Sequence, residues 1–154
     1  MPLTVRVVSR QPRPFTGEVV VRALYQGQRV PELNPLLKQV GFKGQWGSGE
    51  LLVAPPRSRA KLLAVVGLGD RGASLVQQGE GLRRGLGKVV MEMRRHIVRS
   101  AVLDLTGGAA PPALASAAVE AAELATYRFT DYRPKLKQEQ AQRRLKTLII
   151  VVDP

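Results

Sequence analysis

Residues 61–72, KLLAVVGLGDRG, decide the fold and lie in the middle of the chain. Their apolar run, 62–66, leads directly into Gly67, Gly69 and Gly72. A short continuous apolar run that ends in glycines is typical of a strand that is buried on both faces and followed by a tight turn. Such a strand needs a layer of helices on each side. The stretch therefore predicts the central strand of an α/β sheet.

The residues that follow this strand predict a helix and a second strand. Apolar side chains recur at helical spacing over residues 74–95, and residues 101–105 form another short apolar run. Strand, helix and strand in this order predict a right-handed βαβ unit with parallel strands. Glycines within the helix lower its propensity by about 1 kcal/mol each relative to alanine. They predict either a break near Gly79 or unusually close packing of the helix on the sheet.

The remaining elements are predicted from the same patterns. Apolar runs bounded by proline or glycine predict four further strands, and helical spacing predicts two further helices. The total of about six strands and three helices places the fold in the α/β class, as a mixed, mostly parallel sheet with helices on both faces. We expect residues 1–154 to form one domain. The four strands are predicted at 3–8, 18–24, 50–54 and 146–152, and the two helices at 31–40 and 113–127.

Composition excludes several classes of protein. The chain of 154 residues has 44% hydrophobic residues and no cysteine, so a disulfide scaffold and thiol chemistry are excluded. No apolar run approaches the ~20 residues that span a bilayer, and we expect a cytoplasmic location. The net charge is +12, and the basic excess lies in residues 1–72 and 128–154. This distribution predicts either an ordinary basic surface or contact with nucleic acid.

The glycines after the central strand have two possible roles. Gly67, Gly69 and Gly72 fit the G-x-G-x-x-G pattern that brings a backbone close to a pyrophosphate. Dinucleotide sites also place an acid about 20 residues further on; Asp104 lies farther away, and Asp70 within the turn would repel phosphate. We interpret the pattern as a structural turn, with binding of ADP-ribose or a related nucleotide at these glycines as the alternative.

No catalytic residue and no metal site is predicted in this chain. His96 is the only histidine, and with Arg94 and Arg95 it suits the negative end of its own helix. The acids are scattered, and only Glu120 and Glu123 share a helix face, where we expect them to be solvated. No G-x-S-x-G motif occurs, and no serine has a plausible base partner.

Binding of DNA or RNA is the second alternative. It would use the basic residues at the two ends of the chain, which we expect to contact phosphates and to release counterions in a salt-dependent way. Whether these charges share one face depends on the fold. The candidate nucleic-acid-binding residues are Arg57, Arg59, Arg133, Lys135, Lys137, Arg143 and Arg144.

Four stretches together resemble the N-terminal domain of the leucyl aminopeptidase (cytosol aminopeptidase) family of metallopeptidases. The glycine-rich loop GFKGQWGSGELL at 41–52 leads into a strand, and 61–70 is a strand ending in Gly-x-Gly. Residues 101–105 form the next strand, and EAAELATYRFTDYRPK at 120–135 is the most specific of the four. The resemblance covers nearly the whole chain and implies a macro-domain-like fold.

The resemblance also implies what this chain lacks. In that family the peptidase site lies in a separate C-terminal domain, where two divalent metals, zinc or manganese, are held by acids and a lysine. The resemblance therefore implies that this chain is not itself an enzyme and holds no cofactor. It implies a role in assembly or regulation, with either further copies of the chain or an aminopeptidase catalytic domain as partner, and no membrane.

Overall fold

Six strands and three α-helices follow one another in the computed structural model of the protein, which describes residues 3–9, 18–55, 58, 60–105, 112–126 and 145–153. The strands are β1 (Thr4–Ser9), β2 (Val19–Tyr25), β3 (Gly49–Val53), β4 (Leu62–Gly69), β5 (Ser100–Asp104) and β6 (Thr147–Val152). The helices are α1 (Asn34–Val40), α2 (Leu75–Met93) and α3 (Ala115–Thr126), and 3-10 turns occupy Arg94–His96 and Pro112–Leu114.

All six strands belong to one sheet, in the order β1-β6-β5-β2-β4-β3. Every neighbouring pair is parallel except β3 with β4. The predicted mixed, mostly parallel α/β sheet is confirmed. In the predicted βαβ unit, β4 and β5 do run parallel, but β2 lies between them and pairs with both.

Strand β4 lies next to the edge strand β3 rather than at the centre of the sheet, but it is covered on both faces, as its continuous apolar run predicts. Ala64 and Val66 face the large core formed with α2 and α3. Leu63 and Val65 face a smaller core, which Leu37 of α1 helps to close. All four β4 side chains are buried. Helices therefore lie on both faces of the sheet.

Strand β4 is longer than the sequence pattern predicts. It continues beyond Gly67 to Gly69, because β2 pairs with it as far as Gly69 after a register shift at Tyr25. The connecting turn is therefore short, and α2 begins at once, with the Ser74 hydroxyl accepting the N–H of Gln77 at 3.2 Å.

Helix α2 is continuous, so the predicted break near Gly79 is wrong and the predicted close packing is confirmed. A Cβ on Gly79 would lie 3.6 Å from the Cβ of Ala117 in α3. A Cβ on Gly85 would overlap the carbonyl oxygen of Ser48 and lie 3.1 Å from the Cβ of Val66. The glycines thus allow the helix backbone to contact its neighbours directly. Within the described residues, no helix is long and apolar enough to cross a membrane.

Two glycines of α2 provide a matched pair of variants. Gly85→Ala should lower the free energy of unfolding by about 1–3 kcal/mol, because the methyl group collides with the Ser48 backbone. Gly87→Ala should raise it by up to about 1 kcal/mol, since a Cβ there meets nothing within 4 Å and alanine favours the helix. Urea denaturation of both variants measures the difference, and shifts of the same sign would contradict the packing described.

Candidate functional site

The carboxyl ends of β2 and β4 lie side by side and form the centre of the candidate site. Tyr25 ends β2 opposite Gly69, and the N–H of Gln26 donates to the Gly69 carbonyl at 2.8 Å. Ligands of α/β sheets commonly bind beyond the carboxyl ends of the strands. The chain leaves this edge through two loops, 26–33 and 70–74, which lie on opposite sides of the sheet.

The loop at residues 44–48 runs over the end of β4 and is hydrogen-bonded to it. The N–H of Gly67 donates to the Ser48 carbonyl at 2.8 Å, and the N–H of Gly69 donates to the Gly44 carbonyl at 3.0 Å. These bonds continue the edge of the sheet beyond the point where β3 begins. The loop therefore covers β4 on the side where α2 lies.

The loop explains why two of the predicted nucleotide-binding residues are glycines. A Cβ on Gly67 would overlap the Gln45 carbonyl oxygen, and one on Gly69 would lie 2.8 Å from the Cβ of Trp46. Gly69 also has a φ of +79°, a left-handed conformation that favours glycine. Gly67 and Gly69 thus lie under the chain's own loop, which supplies the structural role that we assigned to the pattern.

The third predicted glycine, Gly72, lies in the short turn before α2. Its N–H donates to the Asp70 carboxylate at 2.9 Å, so the turn supplies its own anion. A Cβ on Gly72 would have one neighbour within 4 Å, the Asp70 carboxylate at 3.5 Å. The three glycines therefore do not form one open cradle, and nucleotide binding at them stays a prediction.

The Trp46 side chain connects loop 44–48 to helix α2. Its indole N–H donates to the Gln77 carbonyl at 2.8 Å. A Cβ on Gly81 would lie 2.7 Å from the Trp46 ring, so the ring rests on the helix backbone. The guanidinium of Arg84 lies 4.9 Å from the ring centroid on the outer side, a cation–π contact. The tryptophan is thus held between a helix and a charged side chain.

A buried polar cluster joins β2 to the start of α2. The Tyr25 hydroxyl donates to the side-chain oxygen of Gln78 at 2.7 Å. The Gln78 side-chain nitrogen donates to the carbonyls of Ala73 at 2.8 Å and Arg71 at 3.2 Å. Tyr25 and Gln78 are both only 4% exposed. Each of these hydrogen bonds therefore satisfies a polar group of a buried side chain.

Burial raises the pKa of the Tyr25 phenol, and the positive charge of Arg71, 4.6 Å from the ring centroid, partly offsets this rise. The folded protein consequently holds the phenol proton more tightly than the unfolded chain does. As the pH rises through the ordinary tyrosine pKa of about 10, the unfolded state loses its proton first. The free energy of unfolding should therefore fall above that pH.

The Tyr25→Phe variant tests the cluster. It should lower the free energy of unfolding at neutral pH by about 1–3 kcal/mol, because the Gln78 oxygen loses its buried donor. The variant should also lack the part of the decrease in the free energy of unfolding at alkaline pH that the Tyr25 phenol causes. Urea unfolding at several pH values measures both effects.

Gln77→Ala is the control for this variant, since the Gln77 side chain is exposed and the hydrogen bonds described for this residue use its backbone N–H and carbonyl, which alanine keeps. It should change the free energy of unfolding by no more than about 0.5 kcal/mol. A Tyr25→Phe protein that is as stable as the parent, and whose free energy of unfolding decreases at alkaline pH just as the parent's does, would contradict the role given to the cluster.

A cleft opens on the opposite side of β2, with a volume of about 610 Å³. Its walls are the loop that follows β2, helix α1 and the segment 41–44. The volume lies within the range of small-molecule sites, roughly 300–1,000 Å³. The sequence patterns did not predict this cleft, because its walls come from irregular segments whose spacing only the fold sets.

The structure shows where the titratable residues lie. The described part of the chain holds no group of three or more His, Cys, Asp or Glu side chains able to ligate a metal. His96 is exposed in its 3-10 turn, and Asp104 is buried at the end of β5. Arg94 is buried and donates to the Ala125 carbonyl at 3.2 Å, so it serves the end of α3 as well as its own helix. The metals that the family resemblance implies for a catalytic domain do not fit the residues described.

The predicted nucleic-acid-binding residues all lie outside the described part of the chain, so that alternative stays a prediction. The residues concerned are Arg57, Arg59, Arg133, Lys135, Lys137, Arg143 and Arg144.

Comparison with known proteins identifies the relatives of this chain. Residues 17–136 match the model of the N-terminal domain of the cytosol aminopeptidase family. A probable cytosol aminopeptidase of Alkaliphilus oremlandii (strain OhILAs) is 26% identical over 149 residues, a match that covers 85% of this chain and 29% of that protein. The chain therefore spans less than a third of the length of this relative.

Solved structures show the same fold at lower identity. The bottromycin maturation enzyme BotP matches with a TM-score of 0.65 at 24% identity, over 87% of this chain and 27% of its own. A variant of tomato leucine aminopeptidase matches with a TM-score of 0.65 at 15% identity, over 97% of this chain and 32% of its own.

A macrodomain also shares the fold, as the family resemblance implies. The Oceanobacillus iheyensis macrodomain with ADP matches with a TM-score of 0.59 at 12% identity, over 90% of this chain and 77% of its own. At this identity the likeness concerns the fold alone. The family assignment rests instead on the match over residues 17–136, which is most of the sequence: the chain belongs to the cytosol aminopeptidase family, as its N-terminal domain.

Proposed function

We propose that this chain is the non-catalytic N-terminal domain of a metal-dependent aminopeptidase that removes N-terminal amino acids from peptides. Its role is to assemble with, or regulate, the catalytic domain. The observation that carries the proposal is the family match over 17–136, in relatives that extend far beyond it. The chain covers 29% of the Alkaliphilus relative, 27% of BotP and 32% of the tomato enzyme.

Two carboxylates of the described residues are bonded to arginines rather than arranged around a metal site, which supports this proposal. Two-metal hydrolysis needs several carboxylates around metals about 3.5–4 Å apart. Here Glu80 accepts hydrogen bonds from Arg83 at 2.6 Å and Arg84 at 3.2 Å, and these bonds lower its pKa. Glu120 of α3 accepts from Arg83 at 2.8 Å. These carboxylates connect two helices, and a second domain would have to supply the metal ligands.

The proposed partners follow from the assignment of the metal ligands to a second domain. A domain whose described residues hold no metal-ligating group would contribute by contact, either with a catalytic domain of the same family or with further copies of itself. We place this assembly in the cytoplasm. The described surface offers exposed apolar side chains at the start of α2, where Leu75 is 52% and Val76 is 82% exposed.

Hydrolysis of leucine amide tests the proposal. The purified chain with manganese should show no turnover above the buffer blank. The catalytic domain of the Alkaliphilus relative, produced without its N-terminal third, should gain activity or a larger assembly mass when the chain is added. Metal-dependent hydrolysis by the chain alone would contradict the proposal, as would the absence of any effect on activity and mass.

Binding of ADP-ribose or a related nucleotide is the second candidate, and the likeness of fold to a macrodomain with ADP favours it. The geometry at Gly67 and Gly69 gives it less support, because residues 45–48 fill the space above them. Isothermal calorimetry with ADP-ribose should give saturable heat if the chain binds it. No heat at millimolar ligand would remove this candidate.

A further inference from the structure

We propose that the cleft beside α1 binds a small organic anion with an apolar body, such as an aromatic carboxylate or a phosphate monoester. The cleft lies beyond the carboxyl end of β2, on the side of the sheet away from α2. The proposal goes beyond a role in aminopeptidase assembly and does not depend on it.

The charge of the lining indicates an anionic ligand. Arg29, Lys38 and Lys43 line the cleft, and no aspartate or glutamate does. All three are exposed at their ends, and within the described residues none forms an ion pair. Three unpaired positive charges around one concavity repel each other and attract an anion, since a low-dielectric wall concentrates their field.

Hydrogen bonds within the chain occupy part of the carboxyl end of helix α1. The last carbonyls of a helix carry partial negative charge, which would repel an anion. Here the Leu37 carbonyl accepts the N–H of Phe42 at 2.9 Å, and the Lys38 carbonyl accepts the N–H of Gly41 at 3.3 Å. Gly41 has a φ of +73° and closes the helix in the left-handed conformation. Two of the last four carbonyls of α1 are therefore hydrogen-bonded within the chain.

The floor of the cleft indicates the apolar body. Leu24 and Leu37 line it and are 1% and 6% exposed, and Phe42 lines it as a half-buried ring. These residues belong to the smaller core between α1 and the sheet. A ligand with a flat or branched hydrocarbon group would cover this floor while its charge remains at the basic rim. Inorganic ions lack such a group and would use only half of the site.

The walls of the cleft are fixed before any ligand arrives. The N–H of Tyr25 donates to the Gln28 side chain at 3.0 Å, and the N–H of Gln28 donates to the Tyr25 carbonyl at 3.1 Å. Gly44 has a φ of +76°, and a Cβ on it would lie 2.5 Å from the Tyr25 carbonyl oxygen. Segments 26–28 and 41–44 are therefore held against each other. Preformed pockets of this kind bind without a large ordering cost.

The test is a titration of the ¹⁵N-labelled chain by two-dimensional NMR. The probes are 1-naphthyl phosphate and 2-naphthoate, which share a body and differ in the anion, compared with 2-naphthylmethanol and inorganic phosphate. Saturable shifts of the amides of Gly27, Arg29, Gly41 and Gly44 are expected with either anion. Binding of both anions, or of only one, supports the proposal. If only one binds, the result identifies which anion class the cleft accepts. The alcohol and inorganic phosphate should bind at least about tenfold more weakly.

A charge-reversal pair completes the test. Lys38→Glu with Lys43→Glu should weaken binding at least about tenfold. Lys61→Glu with Lys88→Glu makes the same change of net charge at exposed positions outside the cleft and should leave binding within about twofold of the parent. The spectrum of each variant shows whether it is folded.

Three outcomes would overturn the proposal. The first is the absence of saturable shifts around the cleft at millimolar probe. The second is equal affinity for the alcohol and the anions, which would mean that charge is not recognised. The third is equal weakening by both charge-reversal pairs, which would mean that the anion responds to the net charge of the protein rather than to this site.

Discussion

The structure depends on direct backbone contact between loop 44–48, strand β4 and helix α2. Such contact is possible only where side chains are missing, and Gly67, Gly69 and Gly85 meet that condition. Since a Cβ at any of them would overlap or crowd the loop, the three layers approach more closely than ordinary side chains permit. Because of this close approach, the Trp46 ring packs against α2. The close approach also determines where α2 begins relative to the sheet.

The same contact divides the carboxyl edge of the sheet into two unlike halves. On the α2 side the loop, Trp46 and the pair Tyr25–Gln78 fill the space with hydrogen-bonded groups. On the α1 side the short helix leaves a concavity of about 610 Å³. Because the first half is filled by the chain itself, the second is the half in which the described residues leave room for a ligand.

The sequence predicted the elements well and the site poorly, for physical reasons. Strands and helices follow from local periodicity, so the strand that begins at Leu62 and the helix that ends at Val40 could be recognised without a structure. The role of Gly67 depends on a carbonyl 22 positions earlier, at Gln45, and the Tyr25–Gln78 bond spans 53 positions. Local patterns carry no information about such contacts. From the sequence alone, the glycine motif therefore admits both a ligand and a packing explanation, and the contact with Gln45 shows the packing role.

The arginines of α2 and the basic residues of the cleft differ in their ion pairing. On α2 and α3, the arginines 83 and 84 are matched by Glu80 and Glu120, so their charges largely cancel at short range. On the α1 side, Arg22 is paired with Glu32, whereas Arg29, Lys38 and Lys43 around the cleft form no ion pair among the described residues. Unpaired positive charges around a concavity raise the local potential there. Three of the basic residues that give the chain its net charge of +12 are therefore concentrated at the cleft.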